Sequence, residues 1–294
     1  MINDETKHPD TYPNRTHHVI VDAGLDPLKH QAFVVVEEAG SLTPGRSHFP
    51  PLPGDASNEI VAAGPFTTSD NLLFEPLTEL LAYARRKQPQ LLVLLGPFID
   101  SDHPELSKGT VDQTFDEMFH LQILEKLQDY VECMGSVARV ILMPSIRDAH
   151  HDFVFPQVHI LVFCVKLNAD FYLTRNNVIC YNTDVNVACC TVDILKHLSA
   201  EEICRNPPGE SKQRLANLAK HILSQQSFYP LYPPAKEVPL DFSFAEKALR
   251  FSLTPDILIL PSDLAPFVKV LTIEGGDDDA ELKNSLGSIS YALG

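Results

Sequence analysis

The chain has 294 residues, of which 44% are hydrophobic, and sets 23 Lys and Arg against 39 Asp and Glu for a formal charge of −16. That length and apolar content can bury at least one sizeable core, in one large or two modest domains, while the acidity keeps the chain soluble and excludes tight autonomous binding to a phosphate backbone or an anionic membrane. Six cysteines with no CxxC pair or zinc-finger spacing, and no amino-terminal signal pattern, fit a soluble protein of a reducing compartment; the longest apolar stretch, 160–165, falls far short of the roughly 20 residues that span a bilayer.

Residues 1–58 are polar and rich in Pro, His and Gly, with one β-branched run at Ala32–Val36 that can form a strand. The tract Ser41–Asp55 carries Pro44, Pro50, Pro51 and Pro53, which resist helix and sheet alike, and reads as a linker. From Glu59 strands and helices alternate. Ile60–Ala63 predicts a short strand ending at Gly64-Pro65, and Leu72–Lys87 a helix in which Pro76 is tolerable only near the start. Leu91–Leu95 is an apolar strand stopped by Gly96-Pro97. Thr114-Phe115-Asp116-Glu117 spells a capping box opening a long helix, whose Phe115, Phe119, Ile123, Leu127, Tyr130 and Met134 recur at helical period and should lie on the sheet. Gly135 ends it, and Val137–Met143 predicts the next strand. Asp193–Glu202 and Lys212–Gln226 read as helices, the second with Leu215, Leu218, Ala219, Ile222 and Leu223 on one face, and Ile257–Leu260 as a buried strand ended by Pro261-Ser262-Asp263. The acidic run 274–281 lacks the spaced ligands of a calcium loop and reads as solvated. Strands alternating with helices predict a layered α/β fold.

Four strands thus finish in Gly-Pro or Pro-Ser corners, at 64–65, 96–97, 144–145 and 261–262, where a buried parallel strand delivers side chains to a site at its carboxyl end. A two-metal hydrolase needs carboxylates, imidazoles and an Asn around two cations about 3.5–4 Å apart. Metallophosphoesterases of the calcineurin type spell these as Asp-x-His, Gly-Asp-x-x-Asp and Gly-Asn-His-Asp or Glu after three successive strands. Here the first place is taken by Gly64-Pro65-Phe66-Thr67-Thr68-Ser69-Asp70 and the second by Gly96-Pro97-Phe98-Ile99-Asp100, with Pro97 at a ligand position. The third is Ser145-Ile146-Arg147-Asp148, in which Arg147 sets a permanent cation where a metal would bind. Asp100, Asp148, His150 and His151 remain as possible ligands of one weak site. The alternative is that Arg147 pairs with a nearby carboxylate and the histidines bond to loop backbone.

The sequence has no nucleophile elbow, no Walker loop and no dinucleotide glycine fingerprint. Cys189-Cys190 reads as strand-end packing, because nothing nearby in sequence would stabilise a thiolate. In Ser227-Phe228-Tyr229-Pro230-Leu231-Tyr232-Pro233-Pro234 each residue before proline avoids the α region, so the segment is extended. Its Phe228, Tyr229, Leu231 and Tyr232 suit either a partner surface or a cover for the domain's own core.

Taken with Thr191-Val192-Asp193-Ile194-Leu195-Lys196-His197-Leu198, the segment His221–Pro234 and Thr254–Ser262, these corners resemble the family of accessory B subunits of DNA polymerase α, over roughly 59–156 and 188–269. The resemblance implies a layered calcineurin-like phosphoesterase domain at 59–269 that is catalytically inactive, with no cofactor and no metal. Its vestigial pocket would hold Asp70, Gly96, Pro97, Asp100, Ser145, Arg147, Asp148, His150 and His151. Residues 1–58 would keep an incomplete remnant of an oligonucleotide/oligosaccharide-binding (OB) fold, 157–187 are atypical, and 270–294 form an acidic, divergent tail. The implied role is that of a non-catalytic nuclear subunit of the polymerase α–primase complex in replication initiation and primer synthesis. It would bind the carboxy-terminal domain of the catalytic subunit, reach primase through the complex, touch DNA only indirectly or weakly, and have no membrane contact. The alternative function is a residual metal-dependent phosphoesterase using Asp100, Asp148, His150 and His151.

Overall fold

The computed structural model describes residues 19–26, 31–38, 58–89, 91–109, 111–135, 139–149, 154–156, 171–173, 178–180, 186–203, 214–251, 255, 257–265, 267–272 and 287–293. Two sheets carry the fold. In the first, the parallel strands β3 (Asn58–Ala63), β4 (Leu91–Leu95), β5 (Arg139–Met143) and β6 (Phe171–Leu173) follow one another, and the antiparallel hairpin of β1 (Val19–Asp26) and β2 (Gln31–Glu38) extends the sheet beyond β3. The β-branched run at 32–36 is therefore one arm of a hairpin; the proline tract 41–55 lies outside the described residues.

The second sheet has five strands: β7 (Val178–Cys180), β8 (Asn186–Cys189), β9 (Ile257–Pro261), β10 (Phe267–Thr272) and β11 (Gly287–Leu293). Its order is β10-β11-β9-β8-β7, so β11 lies between β9, to which it is parallel, and β10, to which it is antiparallel. The segment expected as a tail from 270 thus supplies the end of β10 at 270–272 and all of β11 at 287–293, while the acidic run 274–281 lies outside the described residues. The atypical stretch 157–187 is described only in β6, β7 and the start of β8.

Side-chain alternation along the strands separates three layers. Ile60, Leu92, Leu94, Val140 and Leu142 pack against α1 (Glu75–Lys87) and against the helical run made of α3 (Phe115–Met118), a π-helical segment Phe119–Leu124 and α4 (Glu125–Met134). Ala188, Leu258 and Leu260 pack against α5 (Ile194–Glu201) and α6 (Arg214–Ser224). Val61, Val93, Ile141, Met143, Cys189 and Ile259 point the other way and are buried as well. They form the layer between the sheets, where β2 approaches β11. Each such aliphatic side chain contributes about 1.5–3 kcal/mol by leaving water. The result is helix, sheet, sheet, helix.

Local chemistry sets the helix ends. Thr114 accepts from the Glu117 amide and Glu117 reaches back to the Thr114 amide, the expected capping box, and Gly135 ends α4 at φ 73. The helix expected from Leu72 starts at Glu75 because Phe74 holds a left-handed conformation at φ 55, with Pro76 in the first turn. Phe119, Ile123, Leu127 and Tyr130 face the sheet as their spacing predicts, but Phe115, in the first turn of α3, is 43% exposed. The short helices α2 (Pro104–Ser107) and α7 (Phe242–Ala248) flank the strand ends and the second core.

Candidate functional site at the strand ends

The carboxyl ends of β3, β4 and β5 meet those of β8 and β9 around a cleft of about 490 Å³. Prolines 65, 97 and 261 line it with Ile146 and Val192, and Ser101, Ser145, Thr191 and Ser262 add hydroxyls. All four Pro-marked corners of the sequence therefore arrive at one place, joined by a fifth after β8. The Thr191 hydroxyl donates to the Pro144 carbonyl at 2.8 Å and ties the two sheets together there.

The corners sit so close that two need glycine. A Cβ on Gly64 would clash with the Pro97 carbonyl oxygen, and one on Gly96 would clash with the Asp148 carboxylate and lie 2.8 Å from the Ser145 nitrogen. Asp148 is buried and works inward. Its Oδ1 accepts from the amides of Phe98 and of Ile99 (3.1 Å), and its Oδ2 from the amide of Ser145 at 2.7 Å. The loop ends are further laced by Ser101 N–H to the Arg147 carbonyl and Ala149 N–H to the Ile99 carbonyl, both at 2.8 Å. Below the loop, Phe98 stacks on Phe66 and meets Phe119 edge-on.

Arg147 pairs with Asp100 through both arms of the fork, Nε to Oδ1 at 3.1 Å and Nη2 to Oδ2, and Asp102 lies 3.4 Å from Nε. The Asp100 side chain is 8% exposed, so the guanidinium neutralises a nearly buried charge. This is the arrangement anticipated when Arg147 is read as a carboxylate partner. Asp70, placed in the same pocket from sequence, is exposed and lies outside the cleft lining; the neighbouring Thr68 hydroxyl and its own amide lower its pKa. His150 and His151 lie outside the described residues. Among the described residues no group of three or more His, Cys, Asp or Glu side chains is disposed to hold a metal ion.

The opposite wall was not picked out from sequence as part of the site. Asp193 caps α5 by accepting from the Lys196 amide at 2.9 Å and also accepts from the Asp263 amide at 2.8 Å, which joins the ends of β8 and β9. Lys196 Nζ reaches Asp263 at 2.6 Å, and that bond with the charge behind it raises the ammonium pKa. His197 is buried, with Nε2 3.0 Å from Glu237 and Nδ1 3.3 Å from the Tyr229 hydroxyl. The signal available in the sequence was Thr191–Leu198, a strand end followed by a capped helix. Every charged group placed on the cleft wall by these contacts has an opposite charge or an amide against it.

The expected partner surface needs correction. Phe228 is fully buried and Tyr229 is 5% exposed, both inside the second core, because Phe228 packs edge-on against Phe251 at 4.3 Å and Tyr229 against Phe155 at 5.7 Å. Leu231 packs partly against the same core, and only Tyr232 stands clear, at 80% exposure. Cys190, as expected, is inert packing: burial pushes its thiol pKa up to about 12.

Parallel strands of a layered α/β domain converge on this cleft, an arrangement compatible with a phosphoesterase-like fold. The sequence matches the family of DNA polymerase alpha/epsilon B subunits over residues 60–269, and the chain belongs to that family. It is 33% identical over 215 residues to the DNA polymerase alpha B subunit of Bos taurus, 34% over 213 to that of Drosophila melanogaster and 32% over 219 to that of Schizosaccharomyces pombe. Those alignments cover 72%, 72% and 71% of this chain and 34%, 33% and 37% of the relatives. The chain therefore spans about a third of the length of the curated relatives it matches.

Proposed function

We propose that this chain is a non-catalytic accessory subunit of a DNA polymerase α–primase assembly, holding the carboxy-terminal domain of the catalytic subunit during replication initiation and primer synthesis in the nucleus. Primase is reached through the complex, and DNA contact is indirect or weak, in keeping with a charge of −16. In the same reading the domain is an inactive calcineurin-like phosphoesterase, residues 1–58 are a remnant of an OB fold, and 157–187 and 270–294 diverge from the family pattern. Among the described residues no helix is long and apolar enough to cross a membrane.

One observation carries the reading: at the strand ends Arg147 occupies Asp100 bidentately while Asp148 spends its carboxylate on three backbone amides. Two carboxylates that a hydrolase would offer to cations are thus committed to a guanidinium and to the fold, and a fixed cation in their midst opposes metal entry. Among the described residues the alternative, a residual metal-dependent phosphoesterase, has no observation in its favour.

The test is co-purification of the 294-residue chain with the carboxy-terminal domain of the polymerase catalytic subunit, run beside a generic phosphodiester assay with added manganese. A stoichiometric complex and hydrolysis at background are expected. Manganese-dependent turnover abolished by Asp148→Asn, in a variant that still binds the partner domain, would overturn the assignment.

A further inference from the structure

At the end of the strands opposite the cleft, α1 closes in three consecutive cations, Arg85, Arg86 and Lys87, all exposed. Lys108, Arg147, Lys196 and Arg214 each hold a carboxylate, but among the described residues no carboxylate is paired with these three. A helix end supplies about half a negative charge, so three cations exceed what α1 itself can offset. The acids of the neighbouring helix α4 do not serve either: Glu132 accepts from the Gln128 amide group at 2.9 Å, and Asp129 makes no ion pair with them. In a chain with 39 acidic residues against 23 basic ones, three unpaired cations in one turn call for a role.

The group is held together by two tyrosines. Arg86 Cζ and Lys87 Nζ each lie 5.8 Å from the centroid of the Tyr83 ring, one turn back on the helix, so that ring gathers both charges. Arg85 is the cation whose field reaches Tyr130 on α4, which is fully buried. Burial pushes the Tyr130 phenol pKa up to about 12, while Arg85 pulls it down and Cys133 adds to the rise. The Tyr130 hydroxyl has no hydrogen-bond partner among the described residues. A buried donor left in that state costs free energy and calls for an acceptor. An unpaired cation and an unpaired donor are thus neighbours, and a carboxylate is the group that satisfies both.

We propose that the end of α1 docks an acidic segment of a partner protein, with one carboxylate bridging Arg85 and the Tyr130 hydroxyl and the next ones meeting Arg86 and Lys87 beside Tyr83. Arg85 has no bond to give up in turning aside to admit it. A short run of Asp and Glu matches these cations, whereas a nucleic-acid strand brings its phosphates against the whole chain's −16. The chain's own acidic run 274–281 joins strands of the second sheet, while α1 lies on the outer face of the first. At about 10 Å per layer and about 3.3 Å per residue, the chain from Thr272 to Asp278 would have to run fully extended to reach α1, so the segment comes from a separate protein. The surface stands apart from the accessory-subunit reading and does not depend on what the cleft does.

The experiment follows, by fluorescence anisotropy, binding to the full chain of a labelled peptide of about 12 residues rich in Asp and Glu, beside the same peptide with Asn and Gln and an oligothymidylate of equal charge. An Arg85→Gln, Arg86→Gln, Lys87→Gln variant and a Tyr130→Phe variant are set against a charge-matched control at exposed positions, Lys108→Gln, Lys220→Gln, Lys236→Gln. The acidic peptide should bind the parent in preference to both other probes, lose about tenfold or more in the first variant and about threefold or more in Tyr130→Phe, and lose less than about twofold in the control. Tyr130→Phe should also leave the urea midpoint unchanged or raise it, because it removes an unsatisfied hydroxyl. No binding to the parent, parent-like binding by either variant, an equal loss in the control, or tighter binding of the oligothymidylate overturns the inference. Binding that appears only after Asp277→Asn, Asp278→Asn and Asp279→Asn assigns the cations to the chain's own acidic run and overturns it as well.

Discussion

Replacing Asp148 by Ala tests whether the old ligand position now holds the fold together. In the parent, one buried carboxylate accepts from the amides of Phe98, Ile99 and Ser145. Ala leaves three donors without that acceptor. A buried amide without a partner costs about 1–3 kcal/mol, and all three of these donors are buried. The expected destabilisation is about 3–5 kcal/mol, in the range for breaking a buried charged network and a large share of a typical stability of about 5–15 kcal/mol. Asn keeps one acceptor oxygen for the 98–99 amides but turns an amide group toward Ser145, so Asp148→Asn should cost about 1–2 kcal/mol. Urea titration followed by far-ultraviolet circular dichroism reads both values, with the slope unchanged if the transition stays two-state. A cost under about 1 kcal/mol for Asp148→Ala, or equal damage from Asn and Ala, would refute the structural role of the carboxylate.

Three further outcomes follow from the same contacts. Gly96→Ala drives a methyl into the Asp148 carboxylate and the Ser145 nitrogen, and should cost about 1–3 kcal/mol in the same titration. Thr114→Ala removes the acceptor for the Glu117 amide and should lower stability by about 1 kcal/mol, read as a fall in the urea midpoint. In alkylation mapped by mass spectrometry at neutral to mildly alkaline pH, exposed Cys133 should react in the folded chain and Cys190 only after unfolding. Because the folded Cys190 thiol keeps its proton to about pH 12 while an unfolded one ionises near 9.0, its burial adds no pH dependence below the lower value. Above it the folded state binds more protons, so stability should fall as pH rises from 9 toward 12, and a Cys190→Ala chain should lose that part of the decline.

What the sequence disclosed and what it hid divide along physical lines. Strand ends marked by Gly-Pro and Pro-Ser, the Thr114 capping box and the charge of Arg147 are local signals, and each was readable because one or two residues dictate it. The role of Asp148 was hidden: a carboxylate that binds metal and one that binds backbone amides have the same letter, and only the approach of the 96–99 loop tells them apart. The same holds for the 228–232 ridge. Its aromatics could be seen, but which rings sink into the core depends on Phe155 and Phe251, distant in sequence. The wall built by Asp193, Lys196, His197 and Glu237 was missed because its partners come from three separate segments. Phe115 matched the helical period yet lies exposed, since in the first turn it stands off the sheet that its successors cover.

The placement of β11 constrains how the second sheet is made. β10 touches the rest of that sheet through β11, which arrives some fifteen residues later in the chain at ribosomal speeds of about 5–20 residues per second. Until 287–293 emerge, β9 presents a bare row of peptide groups on one side and 267–272 have no neighbour in register. Synthesis therefore finishes the first layer well before the second, and any event that removes those 7 residues detaches two strands instead of one.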